Sequence, residues 1–278
     1  MFTTIVVIET RHTSVIGGQL AAAAFGDRPG TWPLPTAVTP EDLWLRAVAA
    51  GGQGRYGSAY RDLAALRRSA PAGRLVSLAH STQGSFLRQL GWHTLARGWD
   101  GRALALAGED AQARADALIG LAADALGVGR FAAAATLLAR SDSELAAGAV
   151  PDRLPVRRGW VAAELAMARG DGEIAVRHAN EAVDLAGAMA APSARHAVKS
   201  RVVQAAALCS AGAAERARAV AEEALDATGA LGLVPLRWAL ACLLIDLGGV
   251  TFSAQRLREI RDVCAGQVRL AGATWRSA

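Results

Sequence analysis

Lysine and asparagine are almost missing from this chain: Lys199 and Asn180 are the single examples in 278 residues. Positive charge is therefore carried by arginine. Thirty basic residues oppose 25 acidic ones, for a net charge of +5. Most of that charge can balance itself, so the excess fits a GC-rich coding bias and does not single out nucleic acid as a partner. Aromatic residues make up only 5%, and β-branched residues thin out after the first 16 positions. Alanine, leucine and arginine, all strong helix formers, fill the space. An all-α fold is the expectation.

Other absences narrow the function. The cysteines, Cys209, Cys242 and Cys264, are odd in number and show no CxxC or Cys/His spacing. They are expected as small buried thiols in a reducing compartment. The apolar run Ile5-Val6-Val7-Ile8 stops at Glu9 and Arg11. It is too short for a membrane span and has no basic lead-in for a signal peptide, so a cytoplasmic protein away from membranes is expected. No GxxxxGK[ST], HExxH or GxSxG occurs, and His12, His80, His93, His178 and His196 have no ligand neighbours at metal spacing. Neither catalysis nor a cofactor or metal is expected. Gly52 to Gly57 does match GxGxxG. A dinucleotide site needs a strand before that motif, and a helical pattern precedes it here, so it reads as a hairpin turn.

What the chain does contain is a repeat. The pairs Gly54/Ala59, Gly91/Ala96, Gly129/Ala134, Gly170/Ala175, Gly212/Ala217 and Gly249/Ala254 recur at intervals of 37, 38, 41, 42 and 37 residues. Such a period marks a helical solenoid. The glycine lets the chain leave one helix through a turn where a Cβ would be strained. The alanine puts a small side chain where the following helix lies close to its partner.

Three regions follow. Residues 1–38 are an N-terminal extension and linker, with a short strand at Thr3 to Glu9, a short helix at Gln19 to Phe25 and a breaker-rich stretch to Pro35, expected at the periphery or poorly ordered. Residues 39–267 are the repeat array. Thr39-Pro40-Glu41-Asp42 starts it with a cap, a proline at the first helical position and two acids at the positive helix end. Helices over about 40–50 and 56–69 form the first pair. Further pairs span about 74–107, 110–147, 155–189, 193–229 and 235–267, with Pro71, Pro151, Pro155, Pro192 and Pro235 between them. Residues 268–278 are a C-terminal tail expected to fray.

Gly54-Arg55-Tyr56-Gly57-Ser58-Ala59, with Leu63, Leu66 and Pro71, resembles the tetratricopeptide (TPR) repeat. Gly129 to Ala134 and Gly170 to Ala175 look like further copies. The likeness covers about 39–267 and implies a right-handed superhelical solenoid of about six antiparallel helix pairs, similar to the TPR-like arms of bacterial regulators. In that family the first helix of each pair lines a concave groove. The resemblance thus implies a partner-binding face bearing Trp44, Ser81, Ser85, Arg88, Gln89, Arg157, Trp160, Glu164 and Lys199. The lack of asparagine on every first helix sets aside the clamp by which some TPR co-chaperones hold acidic C-terminal peptides.

One electrostatic feature stands apart. No acid occurs from Leu185 to Ala214, and Arg195, His196, Lys199 and Arg201 open a helix there behind Ser193 as its expected cap. Arg157 and Arg158 likewise fall in an expected first turn. Cations at that end oppose the helix dipole, so Arg157, Arg158 and Arg195 are expected to form an anion site with exposed amides.

The expected function is a non-enzymatic scaffold that binds a protein or peptide segment, acidic segments included. The alternative is a stand-alone regulatory sensor for a peptide or small effector. Direct nucleic-acid binding would reveal itself through steep salt dependence. Leu243, Leu244, Ile245, Leu247, Ile260 and Val263 are expected to leave an apolar end on the last pair, which would favour a homo-oligomer.

Overall fold

The computed structural model describes residues 15–276, so the expected strand at Thr3 to Glu9 lies outside it. The described chain is helical throughout, with no strand. Helix α1 covers 15–25. After the linker come α2 (Pro40–Gly52), α3 (Tyr56–Ser69), α4 (Arg74–Gln89), α5 (His93–Leu106), α6 (Ala111–Gly127) and α7 (Phe131–Ala147). Then follow α8 (Arg153–Arg169), α9 (Gly172–Gly187), α10 (Ala194–Ser210), α11 (Ala214–Ala230), α12 (Val234–Leu247) and α13 (Ala254–Leu270). From α2 onward each helix packs on the next, and each even-numbered helix also packs on the next even-numbered one.

Local chemistry sets the boundaries. At α2 the Thr39 hydroxyl accepts from the Asp42 amide at 3.1 Å, and the Asp42 carboxylate accepts from the Thr39 amide at 3.0 Å. This reciprocal box satisfies two donors that a helix start leaves orphaned. Gly54, Gly91, Gly129, Gly170 and Gly212 all sit in the left-handed region, with φ of +76° to +87°. The chain reverses there, and Ala59, Ala96, Ala134, Ala175 and Ala217 then lie fully buried against the preceding helix.

The sixth copy departs from the pattern. Gly248, not Gly249, takes the positive φ, and Ala254 is exposed. A loop intervenes, gripped by the Glu222 carboxylate, which accepts from the Val250 and Thr251 amides and from the Thr251 hydroxyl. Helix α13 therefore starts later, and Leu257 becomes the buried contact. Ser193 departs as well: it precedes α10 but makes no capping bond, its hydroxyl instead pairing with His196 Nδ1 at 2.8 Å.

The two ends of the described residues are not peripheral. Ile16, Leu20, Ala23 and Ala24 form one helical stripe on α1, buried in a common core with Trp44, Leu45 and Val48 of α2. The linker is tied down where Gln53 Nε2 donates to the Pro29 and Thr31 carbonyls. At the other extremity Val268 is buried in that same first core. The Gly57 amide donates to the Ala271 carbonyl, Trp92 Nε1 to the Thr274 carbonyl and the Arg276 amide to the Leu90 carbonyl. Trp275 stacks on Trp238 with ring centres 4.0 Å apart. Instead of fraying, 271–276 thus docks the end of the array onto its beginning. The expected apolar end is correspondingly reduced: Leu244 and Ile260 are buried, while Val263 stays exposed.

Candidate functional site

The even-numbered helices surround a hollow. Its main cavity has a volume of about 370 Å³ and takes side chains from α4, α6, α8, α10 and α12, with His93 at the start of α5 and the backbone of Gly52 at the end of α2 completing the wall. A pocket of about 60 Å³ adjoins it, with Ser85, Phe86, Arg157, Arg195 and His196 in both walls. Helical spacing builds these walls. On α8, Arg153, Arg157, Trp160 and Glu164 recur every three or four residues and share one face; on α10 the neighbours Arg195 and His196 lie four and three residues before Lys199, so each borders its face.

The residues named from the resemblance distribute as follows. Ser85, Arg88, Gln89, Arg157, Trp160, Glu164 and Lys199 line the main cavity. Trp44 and Ser81 line the small pocket. Trp44 is only 5% exposed, since Phe25 of α1 covers it at 5.2 Å between ring centres and its Nε1 donates to Thr82 Oγ1. The face Trp44 would offer a partner is thus occupied by the chain itself. Trp160 stacks on His196 at 5.4 Å and donates Nε1 to Ser200 Oγ at 2.8 Å. Lys199 lies 3.6 Å from Glu164 and above the Trp160 ring.

Arg88 is held in a buried triad. Its Nη1 donates to Asp124 Oδ1 at 3.0 Å and contacts Asp100 Oδ2. Burial pulls its pKa down, but the two carboxylates outweigh that and hold it above its ordinary value. Asp100 occupies space that only glycine leaves, because a Cβ at Gly84 or Gly120 would collide with its carboxylate. Burial, with Asp100 adding its own charge, pushes the Asp124 carboxyl up to about 7. Asp100 Oδ1 and Asp124 Oδ2 are both buried with no donor. One proton shared between the carboxyls supplies what both lack.

The anion site is rearranged relative to expectation. Arg157 and Arg195 do meet, in the walls of both pockets, but Arg158 does not join them. It donates twice to Asp142 of α7 at 2.8 Å, on a separate groove. Arg153 takes its place. The expected start of α8 at Pro155 hid this residue. A proline is tolerated through the first turn, where no amide partner is needed, and α8 begins two residues earlier. Asp116 and Trp238 also escaped the sequence reading, and His196, noted there only as one of the bases opening α10, was not assigned to the site. His196 lies beside the named residues of α10, Asp116 comes from α6, on which no site residue was expected, and Trp238 is defined by its non-local stack on Trp275.

Burial, then the positive neighbours, lowers the Arg153 and Arg195 pKa values to about 10, and Arg157 behaves likewise. All three stay charged at neutral pH. Burial, followed by Arg195, Arg153 and Arg157, drives His196 well below the usual imidazole range, so its ring is neutral. No protein-family model matches the chain, and no curated protein matches it. Among the described residues no helix is long and apolar enough to cross a membrane.

Proposed function

We propose that this protein is a non-enzymatic recognition module that holds a small anionic effector in its hollow. In this reading the helices after α1 form six antiparallel pairs of a right-handed, TPR-like array, and the chain acts as a stand-alone regulatory sensor. One observation carries it: side chains of α4, α6, α8, α10 and α12, spread over about 150 residues of sequence (Ser85 to Ala239), converge on one cavity of about 370 Å³, within the range of roughly 300–1,000 Å³ typical of small-molecule sites. Trp160, Trp238 and Leu236 offer apolar surface there, while Gln89, Arg157 and Lys199 supply donors. The test is native mass spectrometry of protein purified from its own cells under gentle conditions. Wild type should carry a small bound species that Trp160→Ala has lost. A ligand-free wild type that no small anion stabilises would sink this reading.

A scaffold for a peptide or protein segment is the second reading, and α1 itself favours it. The array already holds one amphipathic helix of its own, seated on Trp44. A partner helix of similar pattern would take the same seat once α1 leaves. A labelled peptide copying residues 15–25 should bind a Leu20→Asp variant, in which α1 is loosened, better than wild type. Equal binding to both excludes exchange at that seat.

A further inference from the structure

Arg46, Arg88, Arg114 and Arg158 each face a carboxylate of their own. The small pocket breaks this pattern. Arg153, Arg157 and Arg195 line it together, and Asp116 is the one acid in its walls. Arg153 Nη2 donates to Asp116 Oδ2 at 2.8 Å, and Arg157 contacts the other oxygen of the same carboxylate. Arg195 has no acidic partner among the described residues; its Nη1 reaches the Val48 carbonyl at 3.3 Å. The neutral His196 adds no charge. Three cations against one anion leave two positive charges uncovered where water is scarce, a costly arrangement unless a counter-charge enters.

The pocket has the room and the donors for one. Its volume of about 60 Å³ exceeds the roughly 10–15 Å³ that a single water needs, so a small oxyanion can be accommodated. Ser81, Thr82 and Ser85 place hydroxyls on the α4 wall, across from the arginines of α8 and α10. The Thr82 oxygen accepts from Trp44 Nε1, which leaves its own proton to donate. A single carboxylate would offset only one of the two charges. A phosphoryl group carries about −1.5 to −2 at neutral pH and accepts forked guanidinium bonds.

We propose that Arg153, Arg157 and Arg195, with the α4 hydroxyls, bind a tetrahedral dianion: a phosphoryl group, either free or at one end of a small phosphomonoester whose body fills the adjoining cavity. The phosphomonoester form rests on the effector reading above; the arginine site does not. Calorimetric titration with inorganic phosphate, sulfate and phenyl phosphate at matched ionic strength tests it. Inorganic phosphate should bind wild type, and Arg195→Gln, which removes the unpaired cation and so spares the fold, should weaken it about tenfold or more. Arg158→Gln should change nothing. On wild type alone, the ratio of phosphate to sulfate affinity should rise from about pH 6 to about pH 8 as the second phosphate proton leaves, the ratio cancelling the change in charge at Asp124, which ionises over the same range. Phenyl phosphate binding about tenfold tighter than phosphate, with the gain lost in Trp160→Ala, identifies the phosphomonoester. Equal binding of the two leaves the arginine site standing and removes the cavity reading. Wild type that binds neither phosphate nor sulfate, or binds phosphate as well after Arg195→Gln, overturns the site.

Discussion

Asp124 offers a sharp test of the buried triad, through the substitution Asp124→Asn. Its carboxyl is fully buried between Arg88 and Asp100 and is pushed from 3.8 to about 7. A group whose folded pKa is raised is neutral in the fold over a range where the unfolded chain has already ionised it. Its contribution is complete below about pH 4, shrinks as pH rises, and is gone above about pH 7. Three units correspond to about 4 kcal/mol, at about 1.4 kcal/mol each. An asparagine copies the protonated acid: its carbonyl can accept from Arg88 and its amide can donate to Asp100, yet it does not titrate. Urea unfolding followed by tryptophan fluorescence, run on both proteins from about pH 4 to about pH 8, isolates the term. Asparagine should cost little at the acid end and should become the more stable protein, relative to wild type, toward the alkaline end. A stability difference that stays flat with pH, or that moves in favour of wild type, refutes the shared proton.

Two further outcomes follow from the repeat geometry. Gly212→Ala places a Cβ in open space but at φ of +78°, so the loss is backbone strain alone, about 1–2 kcal/mol in urea unfolding; no loss would show that the turn relaxes freely. Ala175→Leu adds volume at a fully buried contact between α8 and α9 and should cost about 1–3 kcal/mol, whereas the same change at the exposed Ala254 should be close to neutral, and equal costs at the two positions would argue against the packing role of the repeat alanine.

Much of the helical layout was legible because each signal is local. Tyr56–Ser69 appears with the expected bounds, and the outer limits of the later pairs, the only bounds expected for them, fall within a few residues of the observed helix ends. Hydrophobic period, capping residues and left-handed glycines all act over a few positions of chain. Where a second force competes, the reading slips. The hydrogen bonds of Glu222 hold a loop that displaced the last glycine–alanine pair. The first-turn tolerance for Pro155 concealed Arg153. Ser193 prefers His196 to the helix amides.

The site was legible in its stripes and not in its assembly. The TPR resemblance implied one face for Arg157, Trp160 and Glu164, and their helical spacing on α8 is compatible with it. Nothing local says that Phe25 covers Trp44, that Arg158 turns outward to Asp142, or that Trp275 meets Trp238, because each depends on where distant helices come to rest. The fate of both extremities is non-local in the same way: the α1 stripe is visible in sequence, but its seat on α2 is not.

The docking of 271–276 beside Gly57 and Leu90 changes what kind of object this is. An array whose last turn is stitched to its first cannot be lengthened or shortened by a unit, as open stacks can, without tearing that seam. Unravelling from the tail would also strip Val268 from the opening core, so damage at one extremity is felt at the other. A mutation in the final helix should therefore loosen α2 and α3 as readily as its own neighbours.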